Sequence, residues 1–319
     1  MAPQPLQSHP QHLGASAPQV PADEHVLLIG RPPLTEFLGF IEGQTVDGAA
    51  TDRRELMDRW RAANDHIRQL ELYESGWADD SPVTPLPEAL ADRAAGLLSD
   101  PIVMSAHSVV PTEVALVELD RLVVFQKMIN LGYAEQLRDL LPKDASAEDV
   151  FDFALPTDRR YDPPIQTGVL GHNAWGFTSV SKDLRALDVQ VIDPRSIAGL
   201  SAGGSPAAVL AVVVGYGPNL LTAYRAGDRL VLKNGSHRAY ALRAAGHDRV
   251  PCLIENMSRP EELELLGSDE VQQRPELYLQ APRPPVLKDF FDDRLRMTAQ
   301  VPRTRRQVQA VVKLQVVPA

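Results

Sequence analysis

A single cysteine, Cys252, is all the chain carries. That excludes an internal disulfide framework and a multi-cysteine zinc site, and it fits a reducing compartment. Aromatic residues are scarce at 6% while prolines number 27, a balance that favours a loop-rich surface over a long helical array. No uninterrupted apolar stretch reaches membrane-spanning length, and nothing recurs at solenoid or propeller spacing. The opening segment, "MAPQPLQSHPQHLGASAPQVPADE", has neither the basic start nor the apolar run of a secretory signal. Basic charge is short as well. The formal net charge is −10, and coating nucleic acid needs a basic face that releases counterions. These absences predict a soluble, cytoplasmic protein that does not enter a membrane and does not have DNA as its main partner.

What remains is enough for a core. The 319 residues are 44% hydrophobic, which supports one large domain or two moderate ones. Residues 1–25 hold too little apolar content to order themselves and are expected to be a disordered tail. Structure is expected to start with Val26, and residues 26–108 read as a mainly helical N-terminal region. Within 52–72, the residues Leu56, Trp60, Ala63, Ile67 and Leu70 fall at helical spacing. A weaker helix is expected over 87–98 and a strand over 101–104. Residues 114–119 read as a strand and 122–125 as a second apolar step, followed by an amphipathic helix over 133–141 that stops at Pro142. Ser146 with Glu148 and Asp149 marks another helix start.

A long irregular piece, 156–205, comes next. It contains "GVLGHNAWGFTSVSKDLR", too apolar for a linker, and reads as a binding loop or insert. Residues 207–214 and 219–224 are expected to pair as a hairpin about Gly215 to Pro218. Residues 261–319 form a C-terminal extension, in which the alternation over 308–316 predicts a half-buried strand. An Arg-Pro-Pro triplet occurs at 31–33 and again at 283–285. The echo is too short to count as a repeat and is taken as coincidence.

The most pointed stretch is "LVLKNGSHRAYALRAAGHDRVPCLIENMSR", residues 230–259. Residues 229–232, 236–245 and 250–254 read as strand, helix and strand, with a right-handed crossover that sets the two strands parallel. Gly246 is placed to end the helix in a left-handed conformation. At the other end, Gly235 would let the backbone approach a ligand closely. The unpaired amides of Ser236, His237 and Arg238, together with the helix dipole, would favour an anion there. His237 and Arg238 add hydrogen bonds to phosphate or carboxylate oxygens. The same residues also describe a bare cap, with Gly235 in a turn, Ser236 as N-cap and the other two solvated. Arg238 stands at the unfavourable end of the dipole unless an anion is present, which tilts the reading toward function.

"GSHRAYALRAAGHDRVPCLI" resembles the signature box of the ParB/sulfiredoxin-like superfamily, in which a Gly-x-His/Arg-Arg turn opens a helix that is followed by Gly and a strand beginning near Pro. "VALVELDRLVVFQKMINLGYAEQLRDLL" is similar to the strand and helix that begin that domain. The resemblance implies an α/β (α+β) fold with a mixed sheet. The core would span 109–260 with an insert at about 156–205, between a helical N-terminal extension and a C-terminal strand extension. It implies that Gly235, Ser236, His237 and Arg238 hold nucleotide phosphates, with Gln126 and Lys127 after the first strand as further contacts. The implied cofactor is a nucleoside triphosphate, ATP or CTP, with Mg²⁺. His237 and Arg238 are the implied catalytic residues, stabilising charge on a transferring phosphoryl group. Sulfiredoxins carry a cysteine, and ParB partition proteins a glutamate, where this chain has Ser236. No helix-turn-helix pattern follows, so sulfinic-acid repair and partition are both disfavoured. The superfamily's small-molecule kinases lack the DNA reader and suit an acidic chain.

Two function classes follow. The leading one is an enzyme of phosphoryl transfer or nucleotide hydrolysis on a small molecule. The other is a non-catalytic, nucleotide-responsive regulatory or assembly protein that meets partners through its tail or its Arg-Pro-Pro segments. Weaker candidates are a pocket in the insert walled by His172, Asn173 and Trp175 with Arg159, Arg160 and Tyr161, against which packing of Trp175 on the core is preferred. A DNA-contacting patch of Arg225, Arg229, Lys233, Arg238, Arg243 and Arg249 is disfavoured by the acidic remainder. His107, His172, His237 and His247 show no metal-ligand spacing, and Cys252 is expected to lie inert in a buried strand.

Overall fold

Two apolar periods, one of two residues and one of three to four, alternate along the chain, and strands and helices follow them. The computed structural model describes residues 21–157, 163–181, 183–201, 203–316 and 318. It is a mixed α/β chain with several sheets. β1 (Ala22–Leu28) leads into α1 (Leu34–Gln44) and the long α2 (Arg53–Tyr73). β2 (Val83–Thr84), α3 (Ala91–Ser99), α4 (Pro101–His107) and β3 (Thr112–Glu118) come next. β4 (Met128–Asn130) runs straight into α5 (Leu131–Arg138), and α6 (Ala147–Ala154) follows. Then come β5 (Gln166–Gly171), β6 (Ala174–Ser179), β7 (Leu184–Ile192) and β8 (Val209–Tyr216). β9 (Thr222–Ala226), β10 (Arg229–Asn234), α7 (Ser236–Ala244) and β11 (Arg249–Asn256) make up the motif region. The chain continues through α8 (Leu263–Leu266), α9 (Asp269–Gln273), β12 (Arg296–Pro302) and β13 (Arg306–Val311).

The principal sheet has the order β10-β9-β11-β3-β2. β9 pairs with β10 antiparallel and with β11 parallel, so β10 and β11 run antiparallel with β9 between them. The expectation that the strands on either side of α7 run parallel is corrected. The tight turn at Gly227 and Asp228 lets β10 fold back on β9 before the helix forms, so the parallel crossover joins β9 to β11. Val250, Cys252, Ile254, Ala115, Val117, Ala223 and Leu232 are buried in one core with residues of α6 and α7. Gly246, at φ +90°, ends α7 as expected, and the His247 amide returns to the Leu242 carbonyl at 3.0 Å.

A second sheet, β12-β1-β4, draws one strand from each of the three regions read off the sequence. β1 begins at Ala22, so the expected tail gives up its last residues; residues 1–20 lie outside the described ones. The polar start of β1 is overruled because β12 pairs with it along its whole length, and β4 joins on the other side from His25 onward. α1 and α2 cover this sheet through Phe37, Leu38, Ile41, Leu56, Ala63 and Ile67.

Residues 101–104 are helical and not a strand. Asp100 accepts the amides of Ile102 and Val103 at 2.8 and 3.2 Å, and Pro101 fits the first helical position, a start that outweighs the β-branched residues behind it. The stretch expected to be irregular builds two ribbons, β5 with β6 and β7 with β8. β8 therefore does not pair with β9, and the hairpin expected there is also corrected. β13 takes up only the first part of the strand expected over 308–316: Val308 and Ala310 are half-buried and it pairs with β6, but it ends at Val311, and Val312, Leu314 and Val316 stand exposed beyond it because β6 offers no further partner there. No helix among the described residues is long and apolar enough to cross a membrane.

Candidate functional site

The site begins at Gly235, which leaves β10 at φ +85°. A Cβ at this position would come within 3.0 Å of the Leu221 Cα. Both the turn and this contact require glycine, so the close approach expected for a ligand is one the protein makes with itself. α7 then starts with no side-chain cap, which leaves the orphan amides of any helix start. The Ser236 hydroxyl donates to Gln126 Oε1 at 2.9 Å. It thereby ties α7 to the segment that Val123 anchors by bridging Val231 and Val286.

Lys127 is the next residue along that segment. Its ammonium lies 2.5 Å from Glu36 and 3.3 Å from Glu270, and Arg274 meets the same two carboxylates at 2.9 and 3.4 Å. The four groups close a ring of ion pairs. Hydrogen bonds from Lys127 and Arg274 outweigh burial and hold the Glu36 carboxyl below its ordinary range.

His237 joins two helices. Its Nε2 accepts the Asn130 amide at 3.0 Å, which assigns the ring proton to Nδ1 and makes the imidazole neutral. Asn130 is also the N-cap of α5, its side chain accepting the Tyr133 amide at 2.9 Å. Tyr133 meets the imidazole edge-on, with ring centres 5.2 Å apart. The positive ends of two helix dipoles therefore meet beside one histidine.

Arg238 is only 8% exposed. Its guanidinium donates to the Phe153 carbonyl and lies 5.0 Å from the centre of the Phe153 ring. Phe153 belongs to the last turn of α6, whose unpaired carbonyls attract a cation. The structure thus gives the arginine a task at the end of α6 and not at the start of α7. Burial lowers its pKa, while Tyr133 and Asp183 oppose the shift.

The remaining candidates separate. Arg229 pairs with Asp79 at 2.6 Å, Lys233 with Glu255 at 2.7 Å and Arg243 with Asp120 at 2.7 Å. The six basic residues therefore do not form a free cationic face. In the insert, Trp175 is 43% exposed, and Asn173 holds the β5–β6 turn at φ +61°. The packing of Trp175 on the core is thus corrected: β6 places it on a thin ribbon with little protein to cover it. Arg159, Arg160 and Tyr161 lie outside the described residues. Cys252 is buried in β11, and burial pushes its thiol far up, which makes it inert.

One cluster escaped sequence reasoning. Glu255, 1% exposed, accepts from Lys233 Nζ at 2.7 and 2.9 Å and meets His107 Nδ1 at 3.0 Å. The only hint in the sequence is a carboxylate closing the apolar run of β11. Its two partners come from α4 and β10, so no local spacing connects them.

Comparison with protein families, with curated proteins and with solved structures finds no match to this chain.

Proposed function

We propose that the chain is a nucleotide- or phosphate-handling protein of ParB/sulfiredoxin-like fold that acts in the cytoplasm and takes its anion at the joined starts of α5 and α7. The Asn130–His237 hydrogen bond carries this reading, because it brings two positive helix ends together where α7 has no capping side chain. Of the two function classes, response to a nucleotide without turnover has the better support. Ser236 is engaged by Gln126, His237 is neutral, and Arg238 serves α6. The three side chains of the turn are thus engaged with other elements of the fold, which favours binding over transfer. Among the described residues no three histidines, cysteines or carboxylates group so as to hold a metal, so no step is derived through Mg²⁺.

Thermal unfolding with ATP, CTP, GTP, UTP and ADP tests the proposal on the native chain and on His237→Glu. The new carboxylate can accept the Asn130 amide and is itself favoured at a helix start, so the fold should persist while an anionic ligand is repelled. One nucleotide at a hundred times its Kd should stabilise the native chain by about 2.7 kcal/mol and leave the variant unchanged. Absence of phosphate release would accompany the regulatory class, and steady release would put the enzyme class first. If no nucleotide stabilises the native chain, the proposal is rejected.

A further inference from the structure

The ribbon of β7 and β8 is held at its base and open beyond it. At the base, Leu184 and Tyr216 are buried, the Tyr216 hydroxyl shares a hydrogen bond with Ser179 at 2.8 Å, and the Asp183 carboxylate accepts the Asn219 side-chain amide at 2.9 Å. Away from the base, Val189, Val191 and Leu210 are 57%, 75% and 59% exposed.

The strand register decides what each side of the ribbon carries. Val191 lies opposite Leu210, Val189 opposite Val212 and Ala186 opposite Val214, so these side chains share one face. Arg185 lies opposite Gly215, Asp188 opposite Val213 and Gln190 opposite Ala211, which puts every charged or amide side chain of the two strands on the other face. The separation depends on a bulge. The register shifts between Ala186 and Asp188, leaving Leu187 without an opposite residue. Strict alternation would set Arg185 beside Val189 and Val191, and the extra residue resets the period and turns the arginine to the polar side. One face of the ribbon is therefore wholly aliphatic, and its outer part is open.

Such a face is complementary to itself. It offers no charge or hydrogen-bonding side chain that would select a polar partner, and two copies related by a two-fold axis meet on it with no polar group left unpaired. An anionic lipid surface fits less well. The two strands carry one arginine and one aspartate between them, in a chain of net charge −10, so the basic rim that draws a helix or ribbon to lipid is missing from them.

We propose that the aliphatic face of the β7–β8 ribbon is the contact through which two copies of this chain pair, ribbon packed on ribbon like two small sheets about 10 Å apart. The pairing needs no nucleotide and does not rest on the phosphate reading. A contact of this size falls at the small end of interfaces, below about 1,200 Å² in total, so the pairing is reversible and forms at micromolar concentration.

Sedimentation velocity of the full chain across the micromolar range, without nucleotide, provides the test. A shift from monomer to dimer with rising concentration is expected. Val191→Glu should abolish it, since the position is too exposed for the change to disturb the fold and the new charge would be buried against the second copy. Hydrogen exchange of the native chain locates the contact. At about ten times the Kd, amides of 184–192 and 209–216 should exchange about tenfold more slowly than in dilute solution, with those of 222–226 unchanged. A native chain that stays monomeric, a dimer that survives Val191→Glu, or added protection that spares the ribbon overturns the proposal. Binding of a persistently monomeric chain to vesicles of neutral lipid also overturns it and reassigns the face to a lipid surface.

Discussion

Gly235 is where single-residue physics is most exposed to test. Its φ of +85° costs an L-residue about 1 to 2 kcal/mol, and the new Cβ must also push against Leu221. Gly235→Ala should therefore lower the unfolding free energy measured in urea by that amount or more, whether or not a ligand binds. Glu255 makes a pH prediction. Burial raises its pKa, but hydrogen bonds from His107 and Lys233 outweigh burial, and the net shift is downward. A carboxyl depressed in the folded state contributes stability above the ordinary glutamate value of about 4.3, and that stability is lost as pH falls toward the folded value. Glu255→Gln should cost about 3 to 5 kcal/mol at pH 7, because Lys233 and His107 lose their buried partner, and should flatten the acid limb of the stability curve. Asp292 behaves alike further down. Burial raises it, Arg294 and His66 lower it more, and it reaches about 2, so its contribution should fade between about pH 4 and pH 2. Comparing native and Asp292→Asn unfolding across that window checks it.

Among the elements, a capping side chain made some helix starts legible and not others. Ser146 and Asp149 form a reciprocal capping box at the head of α6, as their spacing suggested. Asp100 does similar work for α4, yet the Ile-Val pair behind it suggested a strand, because a short apolar run carries no period of its own. Asp100→Ala should cost about 1 kcal/mol by chemical denaturation. It should also loosen His107 at the far end of the same helix, visible as a change in the His107 imidazole NMR signals. The strands beyond α6 were harder to place. β8 and β9 are neighbours in the chain but belong to different sheets, and only the partner's register tells a hairpin from two separate strands.

At the scale of the whole molecule, stability should be uneven. β9 and β11 are buried almost throughout, whereas β5 is exposed along its length and β7 along most of it. Leu187, Val189, Val191 and Leu210 stand exposed on a two-stranded ribbon, an arrangement that is marginal without further cover. Hydrogen exchange should accordingly show amides of 184–192 and 209–216 opening at far lower free energy than those of 222–234 and 249–256. Equal protection in the two groups would mean that the ribbon is covered in solution.

Local chemistry in the sequence was sufficient for the turn at Gly235, the helix that follows it, its glycine stop, the buried Cys252 strand and the mixed α/β class, because each depends on residues within a few positions of one another. The tertiary structure alone decided what those residues do. Arg238 turned out to serve the end of α6, His237 to be a neutral link to α5, and Arg31 to share a cavity with Pro285. Each of those contacts joins residues far apart in the chain. Their partners are chosen by packing, and packing leaves no trace in local spacing.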